Sequence, residues 1–124
     1  MRREDVRVYV AGPLTALPEG YLQNIHRMAA TCNDIRHAGL APFNPGSDLV
    51  DGIISGDVTV DEFKRVSLAW LRAAHIVYRM DGVSPGSDAE VALAEELDIP
   101  VVYDFLHLEK LARALTGGGH VEET

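Results

Sequence analysis

Short runs of β-branched residues alternate with longer stretches of helical periodicity, and that alternation limits the fold more than any other feature. Val6–Ala11 (VRVYVA) is an apolar run ended by Gly12-Pro13 and reads as a buried first strand. A helical stretch follows from about Glu19 to Ala38. Leu22, Ile25, Ala29, Cys32 and Ile35 recur there at three- and four-residue steps, and Gly39 stops it. Leu40–Phe43 is a brief second strand, broken by Asn44-Pro45-Gly46-Ser47, and the segment to about Val58 reads as a loop. A second helix spans about Val60–Ala74, with Phe63, Val66, Ser67, Trp70, Leu71 and Ala74 on one face and Trp70 expected in the core. His75–Met80 is a third strand and Asp81–Gly86 a turn-rich loop. A third helix begins near Asp88 and ends before Pro100. Pro100–Tyr103 is a fourth strand and Phe105–Leu115 a last helix. The order βαβαβαβα predicts a parallel sheet covered on both faces. Ligands of such sheets sit at the carboxyl ends of the strands, beside the point where strand order reverses.

The chain has 124 residues, enough for one core and too few for two. We expect one domain over 1–116 and a flexible polar tail over 117–124, opened by Gly117-Gly118-Gly119. Eleven basic against nineteen acidic residues give a net charge of −8, a poor footprint for a nucleic acid polymer. The lone Cys32 forbids an internal disulfide and a thiolate metal site. No apolar run approaches the roughly 20 residues of a membrane span. Met-Arg-Arg-Glu-Asp leads into the first strand without the apolar stretch of a signal peptide, so a cytoplasmic protein without membrane contact is expected.

The stretch Ser84-Pro85-Gly86-Ser87-Asp88-Ala89-Glu90 is the most informative for chemistry. It joins the third strand to the third helix, where unsatisfied amides and the helix dipole form an anion site. Ser84 and Ser87 add hydroxyls, and Gly86 lets backbone approach a ligand. Ser87 with Glu90 three residues on also matches a capping box, which needs no ligand. Glu90 can serve as a nucleophile, because a carboxylate at a helix N-terminus stays ionised. Tyr9 either packs in the sheet or steers a carboxylate at its edge. Gly12-Pro13 is an ordinary turn or a tight strand exit against a ligand. Ser67, polar on an apolar face, is expected to bond back to its own helix. Asp81-Gly82 is a turn pair or carries a catalytic acid. The five histidines show no metal-binding spacing, so neither a metal nor another cofactor is expected. The chain lacks the glycine-rich dinucleotide and P-loop patterns and the GxSxG elbow.

Four pieces, in order and over roughly Val6–Val102, resemble the nucleoside 2-deoxyribosyltransferase superfamily, which includes 2'-deoxynucleoside 5'-phosphate N-hydrolases. They are Val8-Tyr9-Val10-Ala11-Gly12-Pro13, Pro42-Phe43-Asn44-Pro45, Ser67 through His75 (SLAWLRAAH), and Ser84 through Glu90 (SPGSDAE). The resemblance implies a single flavodoxin-like, Rossmann-like three-layer α/β domain with a small sheet of about four or five strands. It also implies a homodimer or larger homo-oligomer, with the apolar second helix and Tyr103–Leu108 as interface. It places the nucleophile at Glu90 and the tyrosine that positions it at Tyr9. Gly12, Pro13, Leu14, Asn44, Ser67, Ser84, Gly86 and Ser87 would bind substrate.

In this family the carboxylate attacks C1' of the sugar, the base leaves, and water or a second base resolves the glycosyl-enzyme. The residue six before the glutamate is an aspartate in enzymes of free nucleosides and a serine in monophosphate hydrolases. Ser84 thus implies a 5'-monophosphate substrate. The family's acid position on the second helix holds Ser67 here, and its Ala-Asp helix end reads Ala74-His75. Asp81 or a neighbouring chain is then the implied source of the proton. The expected function is N-glycosidic cleavage of (deoxy)nucleoside 5'-monophosphates. Deoxyribosyl transfer between bases and nucleotide binding without catalysis stand as alternatives.

Overall fold

The computed structural model describes residues 1–15 and 18–117. A short 3-10 turn at Arg3–Asp5 leads into β1 (Arg7–Ala11), α1 (Pro18–His37), β2 (Ala41–Phe43), α2 (Pro45–Ser55) and α3 (Val60–Arg72). Then come β3 (Ile76–Arg79), α4 (Pro85–Glu96), β4 (Val101–Val102) and α5 (Phe105–Leu115). The sheet is parallel throughout, in the order β2-β1-β3-β4. Tyr9 of the central β1 lies opposite Phe43 on one side and Val77 on the other.

Parallel pairing requires a crossover between successive strands, and the helices supply it. Strand side chains alternate between faces. Val8, Val10, Ile76, Met80 and Val102 meet Met28, Cys32 and Ile35 of α1 and Leu108 and Ala112 of α5. Tyr9, Ala11 and Val77 meet Leu71 of α3 and Ala94 of α4 on the opposite face. The result is a flavodoxin-like three-layer α/β domain with four strands among the described residues, as the sequence predicts. The strand order reverses between β1 and β3, so their carboxyl ends open at the expected ligand position.

Four expectations need correction. The segment after Asn44 is not a loop but α2. Asn44 accepts from the Ser47 amide at 3.2 Å, Pro45 occupies the first turn, and Gly56 ends the helix at φ 78°. Asn-Pro, read as a strand breaker, is a helix start. Next, α4 begins at Pro85 rather than near Asp88, and its cap is Ser84. Ser87 and Glu90 therefore form no capping box. In α1, Leu22 is 71% exposed and Met28 takes its place in the core. Finally, Trp70 is 50% exposed, its ring stacked on Phe43 rather than enclosed. Of the expected polar tail, residues 118–124 lie outside the described residues.

Candidate active site

The loop after β1 and the loop after β3 interlock. Gly82 has φ 116°, and a Cβ there would meet Pro13 Cγ at 2.8 Å. Gly12 is buried, and a Cβ on it would meet Met80 Sδ at 2.8 Å. These glycines let the two strand exits pass each other closely. Leu14 follows half-buried, its carbonyl accepting from Asn24 Nδ2 at 3.4 Å. Arg27 of α1 donates to the Asp81 carbonyl at 3.3 Å.

Beside these loops, the Tyr9 hydroxyl donates to Glu90 Oε2 at 2.6 Å. The two residues are 81 positions apart, and only the β1–α4 packing brings them together. Tyr9 is fully buried. Burial first, and then the Glu90 charge, make its phenolic proton harder to lose, with the nearby Ser67 hydroxyl tempering the effect. Burial also raises the pKa of Glu90, against the lowering effects of the Tyr9 hydrogen bond and the Arg79 charge. Glu90 thus lies past the first turn of α4, and instead of being kept ionised by the helix end as expected it is a partly desolvated carboxylate with one oxygen fixed by a neutral donor. Among the described residues Oε1 accepts no hydrogen bond.

Arg79 is the site residue that sequence reasoning misses. It is 8% exposed at the end of β3 and shares the α4-facing side with Val77. Its guanidinium donates to the carbonyls of Met80 and, at 3.0 Å, Gly82, and to Asp88 Oδ1 at 3.1 Å. It pins the β3 loop and sets a positive charge near Glu90. The available signal was the period-two alternation of Ile-Val-Tyr-Arg, which turns residue 79 inward.

Ser67 lies on the buried side of α3, 2% exposed, and among the described residues its Oγ has no hydrogen-bond partner. The expected bond back to its own helix is not made. Ser84 Oγ accepts from the Ser87 amide at 3.1 Å and donates to Ser87 Oγ at 2.9 Å. Pro85 has no N–H, and the Gly86 amide, in the first turn, has no intrahelical acceptor. A Cβ at Gly86 would meet nothing within 4 Å. Ser84, Gly86 and Ser87 are thus brought together at the helix end. Asn44 is occupied in capping α2, and Asp81 is exposed at the lip of the β3 loop.

A groove of about 260 Å³ runs beside β2, lined by Tyr9, Phe43, Trp70 and Ala74. A hollow of about 370 Å³ lies at the start of β4, against Glu95, Pro100 and Tyr103. Neither is lined by Glu90. Among the described residues no three His, Cys, Asp or Glu side chains are grouped to hold a metal ion, and no helix is long and apolar enough to cross a membrane. No family model matches the chain, and no curated protein matches it.

Proposed function

We propose that the chain is a cytoplasmic N-glycosidase that removes the base from (deoxy)nucleoside 5'-monophosphates, with Glu90 as nucleophile. The Tyr9–Glu90 hydrogen bond of 2.6 Å carries the reading. It holds one carboxylate oxygen and leaves Oε1 to attack C1' of the sugar. A glycosyl ester forms as the base departs, and water then restores the carboxylate with net retention. Tyr9 remains protonated throughout, because burial opposes loss of its proton. The 5'-phosphate would rest on the N-terminus of α4, where the helix dipole, the Gly86 amide and the Ser84 and Ser87 hydroxyls favour an anion. A second copy of the chain would roof the site.

The test is release of free base from a panel of nucleoside 5'-monophosphates, followed by chromatography. Wild type should release base and Glu90→Gln should not, with its fold intact by circular dichroism. Equal rates for the two proteins would remove Glu90 from the mechanism.

A further inference from the structure

Among the described residues, the proton-bearing side chains that act on Glu90 are Tyr9 and Arg79, with the Ser67 hydroxyl beside Tyr9 and the Ser84–Ser87 hydroxyl pair in the preceding turn of α4. None of these residue types surrenders a proton readily near neutral pH. Tyr9 already directs its proton to Glu90 at 2.6 Å. Ser67, beside Tyr9, is buried and without a hydrogen-bond partner among the described residues. Arg79 is engaged with Met80, Gly82 and Asp88. The other described carboxyls at this end, Asp81, Asp88 and Asp104, face solvent.

Attack by ionised Glu90 on a glycoside of a neutral base drives the C1'–N electron pair onto the base. The base then leaves as an anion unless a proton arrives with it. Here the negative charge would move from one poorly solvated position to another. A glycoside of a cationic base behaves differently. The C1'–N pair flows into the ring, and the carboxylate and the cation disappear together into an ester and a neutral base. No proton moves in this step, and a desolvated setting favours the loss of both charges.

Resting on the N-glycosidase reading above, we infer that this site is matched to N-glycosides whose base is a fixed cation. Such substrates are an N-ribosylpyridinium of the nicotinamide type or an N7-alkylated purine nucleotide. In the second half of the reaction the oxygen of water bonds to C1'. The C1'–O bond to Glu90 breaks with its pair returning to the carboxylate, and the proton of water passes to solvent. At long range the net charge of −8 repels such a nucleotide less than its neutral-base counterpart, because the cationic base offsets part of the phosphate charge.

The experiment compares nicotinamide mononucleotide with adenosine 5'-monophosphate, and 7-methylguanosine 5'-monophosphate with guanosine 5'-monophosphate, on the wild-type protein. A positioned general acid contributes about 10²–10⁴-fold to departure of a neutral base. Without one, the intrinsic advantage of a cationic leaving group is left intact. We expect kcat/KM at least 100-fold higher for a cationic member than for its neutral counterpart. The rate on nicotinamide mononucleotide should not fall between pH 7 and 9, because no acid has to keep its proton. Ser67→Asp, which sets an acid beside Glu90, should raise guanine release at least tenfold; if that variant fails to fold, the wild-type comparison decides alone. Guanine release within tenfold of 7-methylguanine release, abolished by Glu90→Gln, would overturn this inference and leave the N-glycosidase reading standing. Release of no base from any of the four, with base released from other members of the monophosphate panel, would overturn this inference alone; release of no base from any member of that panel would overturn both.

Discussion

Glu90 sits where its charge is costly, and two predictions follow at the residue scale from how the site handles charge. Its folded-state pKa is raised by burial. The native state therefore holds a proton that the unfolded chain gives up first. This contribution favours the fold below the unfolded value and is lost as pH rises through the folded one. Glu90→Gln removes the buried charge and leaves an amide that Tyr9 can still reach. The variant should be inactive yet more stable at pH 7 by about 0.5–2 kcal/mol, the range of other single stabilising changes. That gain should shrink toward pH 4, as thermal melts across pH would show. Activity of the wild type should rise with pH along a limb displaced above the ordinary glutamate value. The second prediction concerns Ser84, which caps α4. Aspartate is an equally good cap, so Ser84→Asp should keep the helix. Its charge would repel a phosphate dianion by roughly 1–4 kcal/mol in a partly screened site. Calorimetry should then show at least tenfold weaker binding of a monophosphate, with its nucleoside little changed. Equal losses for both ligands would leave Ser84 as a cap alone. At this scale Tyr9, Ser84 and Glu90 were legible from local pattern and resemblance. Arg79 was not, because a lone charge in an apolar run carries no motif, and only the tertiary packing shows what it touches.

At the scale of elements, the sequence named the alternation of strands and helices correctly but missed α2. Asn-Pro-Gly-Ser is as good a turn as it is a helix start, and nothing within four residues distinguishes them. The decision comes from packing, since Pro45 and Gly46 are buried. The start of α4 shifted for a related reason. Both Ser84 and Ser87 can cap, and the strain-free first turn at Pro85 selects Ser84. What the sequence could not state is how the β1 and β3 loops interlock through Pro13 and Gly82. That contact predicts a contrast between two glycines. Gly82→Ala forces a side chain into a left-handed backbone 2.8 Å from Pro13 Cγ. It should cost about 1–3 kcal/mol and loosen the site loops. Gly86→Ala meets open space, and its effect on stability should stay within about 0.5 kcal/mol. Chemical denaturation of both variants measures the difference. Comparable losses for the two would show that the interlock does not hold the loops.

For the whole molecule, exposed apolar side chains mark a surface that association would cover. Trp70 is half-exposed on α3, and Val60, Ile53 and Ile54 are exposed on α3 and α2. Tyr103 and Leu106 are exposed at the start of α5. Scattered exposed apolar residues need no explanation, but a set on adjacent elements marks a surface for a partner. A stable interface takes about 800 Å² from each partner. A second copy that covers α2 and α3 would bury Trp70, Val60, Ile53 and Ile54. The last prediction is that the chain sediments at micromolar concentration as a species of at least twice its 13.5 kDa. The single tryptophan reports on the contact directly. If Trp70 lies in the interface, its emission should shift to longer wavelength on dilution, as the dissociating surface exposes the ring to water. The shift and the change in sedimentation should share one midpoint, and base release per chain should fall with them. A 13.5 kDa species at every concentration, with full activity, would show that one chain builds the whole site.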